Sequence, residues 1–475
     1  MLLSEKNNLT DANLRIERDT VGEMKLPPDV YYGVQSVRAE HNFPITLQKL
    51  SPIMINALAE VKKACAIANC LAGELSEEKC NAIVQACDEI ISGEFHDAFI
   101  CDPIQGGAGT SANMNANEVI ANRAGEILGS RLGSYDAIHP NDHVNMGQST
   151  NDVFPTAGKI ATIRKIRRSL VSLRKLQKAL EDKAIEFDNV ITVGRTQMQD
   201  AVPIRLGQSF GAFAAALERT LDQLENIQKL LYISNMGGTA IGTGINAAAE
   251  YMNKIGDTLA DVTGLPIVIA DNLVDATQNL DIFVNVSAAV KACAVAMSKI
   301  ANDLRLLSSG PKAGLAEIYL PPRQNGSSIM PGKVNPVIPE VVTQVCFNVI
   351  GNDVTITMAA EAGQMELNAF EPVMFFNLFE SIDQIGRVAE TFRVNCIEGI
   401  KPNLKQIKFW MNNSLVLVTS LCPHIGYTKA AELAKISLET GIPIRQVVLE
   451  HTDLTPEELD KIMEPLHMTV PPNRK

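Results

Sequence analysis

The segment 326-GSSIMPGKVNP-336 carries two serines, a lysine and an asparagine between a glycine and a proline. It imitates a phosphate-binding loop, but such a loop has four residues between its glycines and a Ser or Thr after its lysine. Here five residues separate Gly326 from Gly332, and Val334 follows Lys333. The segment therefore predicts a site for some other anion.

Three further polar clusters have the same character, namely 105-QGGAGTSANMN-115, 147-GQSTNDVFP-155 and 194-GRTQMQDAVP-203. Each places small hydroxyl or amide residues at a break before a helical pattern. Free backbone N–H groups and the positive end of the helix dipole favour an anion there. Ordinary N-capping is the alternative interpretation of any one cluster, but four clusters together favour a binding site.

These residue types suit a small dicarboxylate. Lys333 can act as a point charge and Asn335 as an amide donor for one carboxylate. A second negative group can be received by the hydroxyls of Thr110, Ser149, Thr150 and Ser328. Preorganised donors help most where charge grows in the transition state, as when a proton is removed next to a carboxylate. Ser327 then has no binding role and is a candidate base, if a donor-rich, dehydrated loop stabilises its alkoxide.

The sequence gives little support for a dinucleotide site or a metal site. The glycines of 107-GAGTSA-112 follow no convincing strand, and Pro103 lies where one should end, which argues against a dinucleotide site. In 139-HPNDH-143 the histidines are four apart, but Pro140 blocks a helix interior and no glutamate follows His139. This predicts a solvated loop and no metal site. An Ala-Ser-Gly triplet is missing from the sequence.

Composition narrows the function classes. The formal charge is −12 and the sequence pI is about 5.2, so no general field attracts nucleic acid or an anionic membrane. The nine cysteines are never spaced C-x-x-C and are expected to be reduced core thiols. The start MLLSEKNNLTDANLR has no apolar core, and no run of eighteen apolar residues follows. We expect a cytoplasmic protein.

Long amphipathic helices must position the polar clusters. Apolar residues spaced three and four apart predict a helix over about 158–188 and a second one that follows Pro203. Similar patterns cover about 275–308, 337–362 and 371–399. The expected fold is mainly α, with a helical domain over 1–145, a central long-helix bundle over 146–400 and a small helical domain over 401–475.

The four clusters, in this chain order, resemble the active-site segments of the aspartase/fumarase superfamily, and GSSIMPGKVNP resembles its signature. The resemblance runs from 15-RIERDTVGEMKLPPDVYYGVQSVRA-39 to 421-LCPHIGYTKAAELA-434. Details such as GRTQMQDAVP and TMAAEAGQMELN are similar to the aspartate ammonia-lyase branch. The resemblance implies a three-domain helical subunit, a homotetramer whose active sites are each assembled from several subunits, and reversible deamination of L-aspartate to fumarate.

The resemblance also implies roles. Ser327 would remove the C3 proton as base, and Lys333 and Asn335 would bind the α-carboxylate. The aci-carboxylate intermediate would be stabilised by Thr110, Ser149, Thr150 and Ser328. The leaving amino group would lie near Asn151, Thr196 and Gln197. No organic cofactor is implied, although some relatives respond to divalent cations.

One departure concerns Gln197, because many members have histidine there, paired with a glutamate at the position of Glu340. Glutamine does not titrate near neutrality, so the group that protonates the leaving ammonia stays open. The segment His139–His143 resembles a secondary carboxylate site of fumarases, and its role here is open. The alternatives are a class II fumarate hydratase acting on malate and a catalytically silent superfamily scaffold.

Overall fold

The computed structural model of the chain describes residues 14–470, and this part is mainly helical, as the sequence predicts. Its strands are short and pair only in two-stranded sheets. The described residues form two compact units, each made of segments that are distant in sequence. One comprises the described residues up to Ser169 with Gln223–Lys291 and Asn348–Gln384. The other comprises Leu170–Asp222, Ala292–Phe347 and the described residues from Ile385 onwards. The division at 145 and 400 stays a prediction.

The first unit is built on helices that pack through small apolar residues. Its complete elements are β1 (Arg15–Asp19), β2 (Gly22–Leu26), α1 (Val34–Asn42), α2 (Pro52–Leu71), α3 (Glu77–Ser92), α4 (Thr110–Ile127), β5 (Ile233–Ser234), α7 (Ala249–Thr263), β6 (Val268–Ile269) and α8 (Leu273–Gln278). Helix α2 packs against both α3 and α7. Ala57, Ala64 and Ala68 of α2 are fully buried, and such small side chains let neighbouring helices approach closely.

The second unit contains a hairpin and a C-terminal set of short helices. Its complete elements are β3 (Ile191–Thr196), β4 (Gln199–Arg205), β7 (Ile318–Tyr319), β8 (Lys401–Pro402), α12 (Leu404–Asn413), α13 (Cys422–Ile425), α14 (Tyr427–Thr440), α15 (Ile444–His451), α16 (Pro456–Ile462) and α17 (Pro465–Met468). Leu421, Leu433, Val448 and Leu459 belong to one buried cluster beneath these C-terminal helices.

Five longer helices carry the amphipathic patterns seen in the sequence, namely α5 (Thr150–Glu186), α6 (Leu206–Ile227), α9 (Asp281–Leu307), α10 (Val337–Glu361) and α11 (Glu371–Asn395). The four predicted C-terminal ends, at 188, 308, 362 and 399, lie within about four residues of the observed ends at Glu186, Leu307, Glu361 and Asn395. The pattern over 275–308 is in fact two helices, because α8 ends at Gln278 and α9 starts at Asp281.

Helix α5 starts at Thr150, eight residues before the predicted start, and it contains Pro155. Proline has no N–H to donate to the carbonyl four residues earlier. That carbonyl, Asn151 O, instead accepts a hydrogen bond of 2.9 Å from the side chain of Asn235. The helix tolerates the proline because a distant amide replaces the missing donor.

The segment 194–203 is a hairpin rather than a loop at a helix start, so this part of the sequence prediction is wrong. Val193 pairs with Pro203, and Thr196 pairs with Gln199 across the turn. Pro203 therefore lies in a strand, and α6 begins only at Leu206. Pro203 is compatible with the strand because a two-stranded ribbon has only edges, where a missing donor is tolerated.

All nine cysteines are free, and seven of them are buried, so the expected core position is found for those seven. One helix in the described part, Asp281–Leu307, is long and apolar enough to cross a membrane by length and composition alone. Its most apolar window has a mean hydropathy of 1.4, and 44% of that window is buried within the chain. Core helices of soluble proteins meet the same criterion, so this helix is weak evidence for a membrane span.

Candidate active site

The segment 326–336 forms a closed loop immediately before α10. The Asn335 side chain donates a hydrogen bond of 2.6 Å to Gly326 O, which pins the two ends of the loop together. A Cβ on Gly326 would lie 2.2 Å from Lys333 O, so only glycine fits there. Lys333 and Ser328 are exposed, and Glu340 lies in the first turn of α10. One of the two N–H donors of Asn335 is thus taken by the loop itself.

Ser327 accepts hydrogen bonds from two backbone donors of its own loop. Its Oγ accepts hydrogen bonds from the backbone N–H groups of Ile329 at 3.3 Å and Met330 at 3.1 Å. Donors to a hydroxyl oxygen favour its ionised form. The loop therefore supplies part of the stabilisation that a Ser327 alkoxide would need.

Thr196 and Gln197 lie at the exposed tip of the β3–β4 hairpin. Gln197 has a φ of 53° and Met198 a φ of 65°, the left-handed pair that defines a tight type I′ turn. This turn type usually contains Gly, Asn or Asp, so its sequence gave no hairpin signal. Among the residues described, no hydrogen bond joins Gln197 to Glu340.

In the first unit, Thr110 is the first residue of α4. Its hydroxyl donates to Gly107 O at 2.7 Å, so it must rotate before it can donate to a substrate. Gly109 precedes it with a φ of +88°, and a Cβ there would lie 2.4 Å from the ring of Phe154. The glycine permits both the backbone conformation and the close approach of the ring.

Ser149, Thr150 and Asn151 are brought together at the start of α5. The Oγ of Ser149 accepts from Asn151 N at 3.3 Å, and Oγ1 of Thr150 accepts from Nδ2 of Asn113 at 3.1 Å. Neither hydroxyl donates to another described residue, so both hydroxyl hydrogens are available to an anion. The Asn151 side chain is used differently, since its Nδ2 donates to Ala240 O at 2.7 Å.

Asp152 is a buried residue of this site that the sequence reasoning missed. It accepts hydrogen bonds from the backbone N–H groups of Ser149 at 2.9 Å, Gly237 at 3.2 Å and Thr239 at 3.0 Å. Burial raises its pKa to about 6, against the lowering effect of these donors. The carboxyl group ties the start of α5 to the segment after β5.

Further missed residues form a polar network behind Ser149 and Thr150, namely the buried Lys62, Asn113 and Asn117 and the half-buried Asn145 and Gln148. Two signals were available in the sequence. The helix TSANMNANEV has asparagine at every second position, and Lys62 falls on the apolar face of α2, one turn after Leu58. Polar residues on a buried face require partners.

The segment His139–His143 is a short capped turn. Nδ1 of His139 accepts from the backbone N–H groups of Asn141 and Asp142 at 3.3 and 3.2 Å, and Nδ1 of His143 accepts from His139 N at 2.8 Å. Over residues 14–470, no group of three or more His, Cys, Asp or Glu side chains is arranged to hold a metal ion.

Comparisons with known proteins identify the family of the chain. Residues 22–351 match the Lyase family, and residues 417–470 match the Fumarase C C-terminus family. The chain is 54% identical to an aspartate ammonia-lyase of Bacillus subtilis, over 96% of each chain.

Two solved structures share the fold. A fumarate lyase:delta crystallin from Brucella melitensis, bound to cobalt, is 49% identical with a TM-score of 0.94, and the match covers 96% of this chain and all of that one. A class II fumarase from Schistosoma mansoni has the same TM-score of 0.94 at 35% identity, over 97% of this chain and all of that one. The chain therefore belongs to the aspartase/fumarase superfamily of lyases, in its aspartate ammonia-lyase branch.

Proposed function

We propose that the chain is a carbon-nitrogen lyase that reversibly deaminates L-aspartate to fumarate and ammonia. The observation that carries this proposal is the 54% identity to an aspartate ammonia-lyase over 96% of both chains. Identity to the class II fumarase structure is only 35% at the same TM-score. The fold is thus shared by both chemistries, and sequence similarity favours the ammonia-lyase.

The proposed mechanism is an anti elimination through an aci-carboxylate. The alkoxide of Ser327 takes the C3 proton of aspartate, and the electron pair of that C–H bond delocalises into the β-carboxylate. The pair then forms the C2–C3 double bond as the C2–N bond breaks and ammonia leaves. The two donors to Ser327 Oγ support its role as base, because they stabilise the alkoxide before it takes the proton.

The remaining residues bind the two carboxylates. Lys333 and the free N–H of Asn335 bind the α-carboxylate, and Ser328 donates to the aci-carboxylate. Ser149 and Thr150 donate their free hydroxyl hydrogens to the same group, which gains charge as the proton leaves. Donors already in place require no reorganisation during the reaction.

We further propose a cytoplasmic homotetramer whose active sites are assembled from several subunits and which requires no organic cofactor. Phe347, Val354 and Met358 of α10 support the assembly. They are seven and four residues apart, share one face of the helix, and are 64%, 57% and 62% exposed in the isolated chain. Burial against another subunit would remove this apolar stripe from water.

The test is to incubate the purified protein with L-aspartate and, separately, with L-malate, and to follow fumarate by its ultraviolet absorbance. We expect fumarate and an equal amount of ammonia from aspartate, and a rate at least 10²-fold lower from malate. Fumarate from malate alone would identify a fumarate hydratase. No product from either would identify a silent scaffold.

A further inference from the structure

Lys62 of α2 is completely buried. Its Nζ donates hydrogen bonds of 2.8 Å to Oδ1 of Asn145 and of 2.8 Å to Oε1 of Gln148. Burial of an ammonium group is costly unless the charge finds partners, and the hydrogen-bond partners here are two neutral amides. Such an arrangement is hard to explain by packing alone.

Both amide partners lead to the start of α5. Asn145 Oδ1 also accepts from Nδ2 of Asn113 at 3.2 Å, and that same Nδ2 lies 3.1 Å from Oγ1 of Thr150. Nδ2 of Asn145 donates to Gln148 O at 3.2 Å, and this carbonyl belongs to the peptide group that links Gln148 to the next residue. The ammonium is therefore one hydrogen-bonded side chain away from the backbone before Ser149.

The same contacts set the direction in which the hydroxyl of Thr150 can donate. Because Asn113 donates to Oγ1, the hydroxyl hydrogen must point elsewhere and is left for a ligand. A polar network in which every amide has its partner holds its members in one geometry. Without the ammonium, Oε1 of Gln148 would lose its donor and Oδ1 of Asn145 would lose one of its three donors.

We propose that Lys62 is a positioning residue for the elimination, which fixes the Ser149–Thr150 segment through its two amide partners and places a buried positive charge behind it. This inference rests on the proposed function, in which these two hydroxyls receive the β-carboxylate. The charge acts on the aci-carboxylate, since negative charge grows there as the C3 proton leaves. A charge held in place inside the protein acts more strongly than one in water.

The groups that face Lys62 allow its charge to be tested by pH. Burial lowers the pKa of Lys62 to about 8, against the opposing effects of Cys65 on α2, Asp152 on α5 and Cys87 on α3. Burial raises the pKa of both thiols, so they stay neutral near pH 8. Tyr251 of α7 donates to Cys65 and has a pKa well above 10. Asp152, with a pKa of about 6, is ionised throughout this range. Among these groups, Lys62 alone changes charge near pH 8.

The experiment compares Lys62→Met with Lys63→Met in the otherwise unchanged enzyme. Methionine keeps the length and apolar stem of Lys62 but removes the charge and both hydrogen bonds. Lys63 is the adjacent residue, and its Nζ pairs with Asp88 at 2.6 Å. At pH 7 we expect kcat for aspartate to fall 10- to 10²-fold in Lys62→Met, with KM changed less than threefold. Lys63→Met should stay within twofold of wild type in both constants.

A pH series separates positioning by a charge from a loss of packing. Wild-type kcat should fall above about pH 8 as Lys62 loses its proton. Lys62→Met has no such proton, so the ratio of wild-type to variant kcat should shrink between pH 7 and pH 9.5. A ratio that is constant over this range, or a kcat within twofold of wild type at pH 7, would overturn the proposal.

Asn113→Leu provides a second variant that leaves both hydrogen bonds of Lys62 in place and removes the amide donor that Thr150 Oγ1 and Asn145 Oδ1 share. This variant tests the proposal even if Lys62→Met does not fold. A tenfold loss of kcat at unchanged KM supports the proposal, and a wild-type kcat overturns it. The release of fumarate from aspartate by the wild-type enzyme is measured before any variant is tested. Its failure would refute the proposed function instead.

Discussion

The guanidinium of Arg195 lies 2.6 Å from Oε1 of Glu317, whose side chain is fully buried. The approach is not aligned as a hydrogen bond, so the contact is an ion pair. The other oxygen, Oε2, accepts a hydrogen bond of 2.7 Å from the hydroxyl of Thr192. Both contacts hold strand β3, which ends at Thr196 beside Gln197. The hairpin tip thus depends on a carboxylate more than a hundred residues away in sequence.

We expect Glu317→Gln to lower the melting temperature clearly, since loss of one partner from a buried pair typically costs about 3–5 kcal/mol. KM for aspartate should rise as well, because the hairpin tip loses its anchor. Asp200→Asn is the matched control. Asp200 is the exposed second partner of the same guanidinium, at 3.7 Å, and exposed pairs contribute about 0–1 kcal/mol. Equal melting temperatures for the two variants would contradict the prediction.

Ser327→Ala should abolish turnover and leave the fold intact. The change removes one hydroxyl from a half-buried residue. Loss of a catalytic base typically lowers the rate about 10²–10⁴-fold. We expect the loss in kcat, with the affinity for succinate within about threefold of wild type, under 1 kcal/mol. Exchange of the C3 proton of aspartate with deuterated solvent should stop.

Ser328→Ala is the variant to compare with Ser327→Ala. It removes a donor to the aci-carboxylate, for which about 10²–10³-fold is usual, and proton exchange should slow with turnover. Retention of even a tenth of wild-type turnover by Ser327→Ala would show that another residue is the base.

Lys333→Ala should remove the fixed positive charge of the 326–336 loop. A bound carboxylate left without its cationic partner costs about 2–5 kcal/mol, so kcat/KM for aspartate should fall at least 30-fold. Lys405→Ala, an exposed lysine of α12, serves as the control for loss of one surface charge. A wild-type kcat/KM in Lys333→Ala would place the carboxylate site elsewhere.

Gly109→Ala should disturb the position of Thr110. The new Cβ would meet the Phe154 ring at 2.4 Å, and a φ of +88° is unfavourable for alanine. Strain and overpacking together cost about 2–5 kcal/mol, seen as a lower melting temperature. Gly106→Ala is the control, because its nearest neighbour, Phe43, lies 3.5 Å away and the change should be tolerated. A Gly109→Ala variant as stable as Gly106→Ala would contradict the described packing of Phe154.

Glu371 should make stability depend on pH. Its carboxyl group is 1% exposed, and neither oxygen has a hydrogen-bond partner among the described residues. Burial raises its pKa well above 4.5, although nearby Lys159 acts in the opposite direction. Between pH 4.5 and the raised value, the folded state binds one proton more than the unfolded chain. The free energy of unfolding therefore falls as pH rises, by up to about 1.4 kcal/mol per pH unit.

Glu371→Gln cannot titrate, so it should lack this pH dependence. Melting temperatures at pH 5.5, 6.5 and 7.5, at fixed protein concentration, provide the measurement. We expect the wild type to lose stability relative to Glu371→Gln as pH rises, and the exposed Glu366→Gln variant to follow the wild type. Parallel curves for wild type and Glu371→Gln would show that Glu371 titrates normally.

The sequence by itself determined the helices, because a helix that buries one face must repeat apolar residues every three or four positions. The predicted 337–362 and observed Val337–Glu361 differ by one residue. Helix α10 starts at Val337, directly after the cluster 326–336, and α4 starts at Thr110, within the cluster 105–115. Small polar residues and glycine interrupt the helical pattern at both places. The candidate residues of each cluster could be named from their types and from the family resemblance.

Only the tertiary structure decided features that depend on contacts between distant residues. The start of α5 requires the side chain of Asn235 to replace the donor missing at Pro155, 80 residues earlier. The hairpin turn at Gln197 and Met198 lacks the residues that usually mark it, and its anchor at Glu317 is non-local. The sequence did not distinguish Lys62 from the other lysines. Its contact with Asn145 depends on the fold, because packing in three dimensions determines the partner of a buried charge.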